Sequence, residues 1–149
     1  MYRLLVPVDA NESRAIKQAE YVASRPESGD TLEAYLLFVF GEDEEDLPDG
    51  FNRFKSADRV GSVRRAREVL EGAGVEVTIL EDSGDTADDI VDAAEEYDVD
   101  ELVIGGRKRS PVGKALFGSV TQTVILETDR PVVVTGGGDG VATGGGNGE

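Results

Sequence analysis

Five short apolar runs alternate with stretches whose apolar residues recur every three or four positions. That alternation constrains the fold more than any other feature of the chain. Residues 3–8 (Arg-Leu-Leu-Val-Pro-Val) read as strand one, closed by Asp9. Asn11 suits the N-cap of a helix whose apolar face is Ala15, Ala19, Val22 and Ala23, and Pro26 and Gly29 stop it. Residues 31–40 form strand two, and its unbroken apolar run from Ala34 to Phe40 implies burial on both faces. A second helix is expected from about Ser56 to Ala73, carrying Val63, Ala66, Leu70 and Ala73, with Gly74 at its C-terminal end. Val75 to Leu80 alternates as strand three. Asp85 or Thr86 opens a third helix with Ala87, Ile90, Val91 and Ala94 on one face. Strand four follows at Glu101-Leu102-Val103-Ile104, a fourth helix at Val120 to Leu126, and strand five at Pro131 to Thr135.

Five strands alternating with four helices predict an α/β fold. The strands form a five-stranded parallel sheet, doubly wound, with strand order 3-2-1-4-5 and helices on both faces, because right-handed crossovers place them there. Residues 1–135 make the α/β domain, and 136–149 read as a flexible Gly-rich tail. Gly41 to about Phe54 is acidic, contains Pro and Gly, and is polar enough to be mobile.

In such a sheet ligands sit beyond the carboxyl ends of the strands, where the winding reverses. Asp9 ends strand one and Gly105 ends strand four, so both fall in that crevice. After Gly105 comes a basic loop with Arg107, Lys108, Arg109 and Lys114, then Gly118-Ser119 at the mouth of the fourth helix. A glycine turn, cations and the unpaired N–H groups of a helix N-terminus together suit a phosphate. The cations matter because the chain has 31 Asp+Glu against 15 Lys+Arg and a formal net charge of −16. The Asp9 carboxylate could accept ribose hydroxyls, face a phosphate-bound metal ion, or cap the first helix near Asn11.

Several chemistries are excluded by composition. The chain has no Cys and no His, which removes disulfides, thiol chemistry, Cys/His zinc sites and imidazole bases. No G-x-x-x-x-G-K-[ST] is present, since Gly113-Lys114 is followed by Ala115, and no G-x-G-x-x-G follows strand one. No base neighbours Ser110 or Ser119 in sequence, so neither reads as a nucleophile. One basic loop does not offset repulsion of phosphates by so acidic a surface, so nucleic acid is not expected as a partner. No run of about 18 apolar residues exists, so neither a membrane span nor a signal peptide is expected, and the expected location is cytoplasmic. The acidic, Lys-poor surface fits a halophilic source, where salt screens self-repulsion.

The chain resembles the universal stress protein family over residues 1 to 135. The matching parts are Pro7-Val8-Asp9, Leu36-Leu37-Phe38-Val39, Gly84-Asp85, Asp100 to Gly105, Gly118-Ser119-Val120 and Arg130-Pro131-Val132-Val133-Val134. The family's nucleotide-binding branch carries G-x-x-G, nine residues, then G-[ST]. Here Gly105 fits the first position and the spacing to Gly118-Ser119 is kept, but Lys108 replaces the second glycine. The resemblance implies binding of ATP or AMP, with magnesium or manganese as a companion of the phosphates. Pro7, Val8 and Asp9 would line ribose and adenine, and Val39 would offer backbone groups to the adenine edge. Gly105, Lys108 and Arg109 would wrap the phosphates, with Gly118, Ser119 and Val120 at the helix N-terminus. It also implies a homodimer through strand five, whose apolar edge invites another chain. The expected function is a stress-response regulatory protein that binds adenine nucleotide without rapid turnover. A slow ATPase or self-phosphorylating enzyme using Asp9, a metal and Ser119 is an alternative, as is a nucleotide-free interaction protein.

Overall fold

The structure, a computed structural model, describes residues 2–25, 31–40, 60–106 and 118–136. Five strands, β1 (Tyr2–Val8), β2 (Leu32–Phe40), β3 (Glu76–Ser83), β4 (Glu101–Gly105) and β5 (Val132–Thr135), form one sheet in the order β3-β2-β1-β4-β5. Every pairing is parallel, as the sequence pattern predicts. Among the described residues four helices join them: α1 (Glu12–Ala23), α2 (Gly61–Gly72), α3 (Thr86–Glu96) and α4 (Ser119–Glu127). The fold class and strand order are therefore those expected.

Two apolar clusters lie on the two faces of the sheet. One joins Leu4, Val6, Leu36 and Phe38 to Ala15, Ala19 and Val22 of α1 and Val63, Ala66 and Leu70 of α2. The other joins Leu5, Leu37, Leu102 and Ile104 to Ile90, Val91 and Ala94 of α3 and Val124 of α4. Alternate residues of β1 and β2 thus feed opposite faces, which explains their unbroken apolar runs.

Helix ends follow the local chemistry closely. The Asn11 side chain accepts from Arg14 N at 2.8 Å and that of Asp85 from Asp88 N at 3.0 Å, each satisfying one free donor of its helix. At the end of α2, Val75 N donates to Leu70 O and Gly74 N to Glu71 O, both at 3.0 Å, with Gly74 at φ 84. This pair of reversed hydrogen bonds needs a left-handed residue, which glycine supplies without strain.

Two expected boundaries need correction. The second helix does not run from Ser56: Val60 is extended, with φ −78 and ψ 130, and is buried in the core as the N-cap, so α2 starts at Gly61. Burying an extended valine wins over continuing the helical period. Strand three does not stop at Leu80 but continues through Glu81, Asp82 and Ser83, paired with Phe38, Val39 and Phe40. Its last three side chains face solvent, so the hydrophobic pattern carries no trace of the extension. The acidic segment 41–54 and the tail 137–149 lie outside the described residues.

Candidate functional site

Strands β1 and β4 are clamped at one end and parted at the other. At the base, Tyr2 Oη donates to Glu101 Oε1 at 2.8 Å and Arg25 Nη1 meets Glu101 Oε2 at 2.7 Å. The Arg25 guanidinium also lies 5.2 Å from the Tyr2 ring centroid. The Tyr2 hydroxyl is held above its ordinary pKa, chiefly because it donates to the Glu101 carboxylate and then because it is desolvated. Midway, Leu4 pairs with Glu101 and Leu5 with Leu102.

Beyond Leu5 the ladder ends, and the reason is Pro7. Tyr2 N donates to Thr31 O on the β2 side, so by alternation residue 7 presents its backbone towards β4. Leu102 N donates to Pro131 O on the β5 side, so Val103 presents its backbone towards β1. Proline has no N–H to continue that ladder. The side-chain amide of Gln18 on α1 takes over, donating to Pro7 O at 2.7 Å and to Val103 O at 3.0 Å. Gln18 is only 1% exposed. Both of its amide hydrogens are spent bridging strands that no longer bond each other.

The parted ends open into a cavity of about 900 Å³. Its walls bring together Pro7, Val8 and Asp9 from β1 and the turn after it, Val39 from β2, Gly105 from β4, and Gly118, Ser119 and Val120 at the start of α4. Eight of the ten residues singled out from sequence therefore share one crevice. The other two, Lys108 and Arg109, lie outside the described residues. The β1–β2 pairing ends at Val8 and Phe38, leaving Val39 beyond the last β1 partner.

Asp9 is held from several directions. Its Oδ1 accepts from Asn11 N at 3.0 Å, its backbone carbonyl accepts from the buried Ser62 hydroxyl at 2.6 Å, and its Oδ2 lies 3.5 Å from Arg14 Nε. The cap of α1 is Asn11 and not Asp9: Asp9 Oδ1 takes the N–H of the N-cap residue itself, while its side chain stays 57% exposed. Gly118 is the N-cap of α4 and makes no side-chain cap hydrogen bond, so the first N–H groups of that helix are left without a side-chain cap where Gly118, Ser119 and Val120 line the cavity. Gly105 lacks a Cβ for a steric reason: one there would sit 2.5 Å from Arg14 Cγ and 2.7 Å from Arg14 Cδ.

Sequence reasoning missed Gln18, Arg14 and Ser62. Gln18 had a signal, since it falls on the Ala15–Ala19–Val22 face and a proline interrupts the neighbouring strand. On α3, Asp89 is raised above the ordinary carboxylate pKa, first by desolvation and then by Asp82, Asp92, Asp85 and Asp88. Among the described residues no group of three or more Asp, Glu, His or Cys could hold a metal ion, so they form no metal centre of their own. None of the described helices is long and apolar enough to cross a membrane.

A doubly wound sheet with a crevice at its reversal point defines an α/β domain of the class that takes small ligands there. The model of the universal stress protein family matches residues 1–136, and the chain belongs to that family. A curated universal stress protein of Mycolicibacterium smegmatis is 40% identical over 76 residues, 50% of this chain and 58% of that relative. That match spans little more than half of the relative's length. The structure of a universal stress protein from Archaeoglobus fulgidus is similar at TM-score 0.66 and 31% identity, covering 91% of this chain and 98% of the other. A structure of a universal stress protein from Archaeoglobus fulgidus in complex with dAMP is similar at TM-score 0.61 and 26% identity, covering 91% of this chain and 98% of the other.

Proposed function

We propose that the crevice binds an adenine nucleotide, ATP or AMP, and that the protein acts as a stress-response regulator rather than a rapid catalyst. One observation carries this reading: Asp9, Gly105 and the Gly118-Ser119 helix start, far apart in sequence, line one cavity. Pro7, Val8 and Asp9 would flank ribose and base, and Val39 would meet the adenine edge. Gly105 and the amides of Ser119 and Val120 would hold phosphate, joined by Lys108 and Arg109 of the basic loop. The dAMP complex of a relative with the same fold supports the ligand class. Any magnesium or manganese would arrive as the phosphates' companion, since the described residues offer no cage.

The same reading includes a homodimer through β5. Among the described residues that strand is an edge paired only with β4, and α4, which leads into it, leaves Leu126 83% exposed. A cytoplasmic location in a salt-rich cell accords with the net charge of −16.

Mass spectrometry of small molecules that co-purify, followed by calorimetric titration of stripped protein with ATP and AMP in high salt, tests the assignment. Saturable binding of either nucleotide is expected. Absence of heat and of thermal stabilisation for both would remove it.

A further inference from the structure

We infer that Arg14 is the crevice's own phosphate ligand, a cation parked on Asp9 until a nucleotide arrives. The inference rests on the nucleotide reading above and deepens it. Arg14 stands in the first turn of α1, and its aliphatic stem lies across Gly105, the residue from which the basic loop departs. Its side chain is 15% exposed, and Nε is buried without a hydrogen-bond partner among the described residues. Its ion pair is with Asp9 Oδ2 at 3.5 Å, beyond hydrogen-bond range. A guanidinium has five donors in a planar fork suited to a phosphate, and Arg14 lines the cavity with Asp9, its ion-pair partner among the described residues, at 3.5 Å.

Charge on the walls points the same way. The described lining carries three carboxylates, Asp9, Asp85 and Asp88, and Arg14 is the cation among them. An anionic ligand entering past those acids needs a counter-charge at the sheet end of the cavity. Arg14 supplies it from the first turn of α1. When the guanidinium turns to phosphate, the Asp9 carboxylate is released, with Oδ1 still fixed by Asn11 N and Oδ2 open to ribose hydroxyls. One exchange of partners thus serves both ends of the nucleotide's sugar-phosphate.

The test compares wild type with Arg14→Met, which keeps an unbranched stem over Gly105 and removes the charged fork. AMP and adenosine are titrated into each by calorimetry at two salt concentrations, with thermal melts confirming folding. AMP affinity should fall by about 10- to 100-fold in R14M, the worth of a hydrogen-bonded charge pair, with a shallower salt dependence. Adenosine, which carries no phosphate, should lose no affinity, because R14M only frees the Asp9 carboxylate for its ribose. R14K, which keeps charge without the fork, should fall between and carries the test if R14M fails to melt cooperatively. Unchanged or tighter AMP binding by R14M, or equal losses for AMP and adenosine, would overturn the role of Arg14 while leaving the nucleotide site intact. A wild-type protein that binds neither compound would overturn the nucleotide reading itself, and this inference with it.

Discussion

Replacing Gln18 with leucine should show how the crevice is held open. The substitution keeps the side-chain size but removes the amide that donates to Pro7 O at 2.7 Å and Val103 O at 3.0 Å. A typical net hydrogen bond contributes about 1 kcal/mol, and a buried carbonyl left without a donor costs about 1–3 kcal/mol. Two such groups lose their partner at a site 1% exposed, and the added apolar contact of leucine offsets part of the loss. The expected net cost is about 2–4 kcal/mol. For a domain of this size that lowers Tm by roughly 5–15 °C. Differential scanning calorimetry of Gln18→Leu reads it directly. Pro7→Ala restores an N–H facing Val103, so the Pro7→Ala/Gln18→Leu double variant should recover part of the lost Tm. A Gln18→Leu protein melting within a degree of wild type would refute the reasoning, and a double variant showing the sum of both losses would refute the role given to Pro7.

Other consequences are quicker to check. Val133→Asp should give monomers by light scattering without abolishing the cooperative melt, because Val133 is only half-buried in the edge strand; a mass equal to wild type would contradict the β5 interface. Asp89→Asn should raise Tm at neutral pH. The folded protein holds that carboxyl above its ordinary pKa, so ionising it costs stability at neutral pH, and the gain should vanish once pH falls below the ordinary Asp value, where both folded and unfolded states are protonated. Raising salt from low concentration to molar should raise Tm as self-repulsion among 31 acids is screened, and a flat response would count against a salt-adapted surface.

The fold was legible because each strand was short, apolar and separated by an amphipathic helix, and parallel crossovers leave few topologies. Asp9, Gly105 and Gly118 were legible as one site for the same reason: strand ends in a doubly wound sheet converge by topology. What stayed hidden depends on contacts across large sequence separations. Gln18 is a polar residue on an apolar helix face, and its role depends on Pro7 and Val103, 11 and 85 residues away, whose carbonyls accept from its amide. Arg14 reads as an ordinary helix cation, and only the fold lays its stem over Gly105. The extension of β3 over Glu81-Asp82-Ser83 rests on backbone pairing with β2, which leaves no mark in side-chain pattern.

Residue-resolved NMR of the isotopically labelled protein, titrated with AMP and then ATP in high salt, tests the central claim most directly. Amide shifts should move with saturable dependence at Val8, Asp9, Val39, Gly105, Ser119 and Val120, while the Tyr2–Glu101–Arg25 clamp at the opposite end of the sheet stays still. Shifts confined to other surfaces, or none at millimolar nucleotide, would contradict the account.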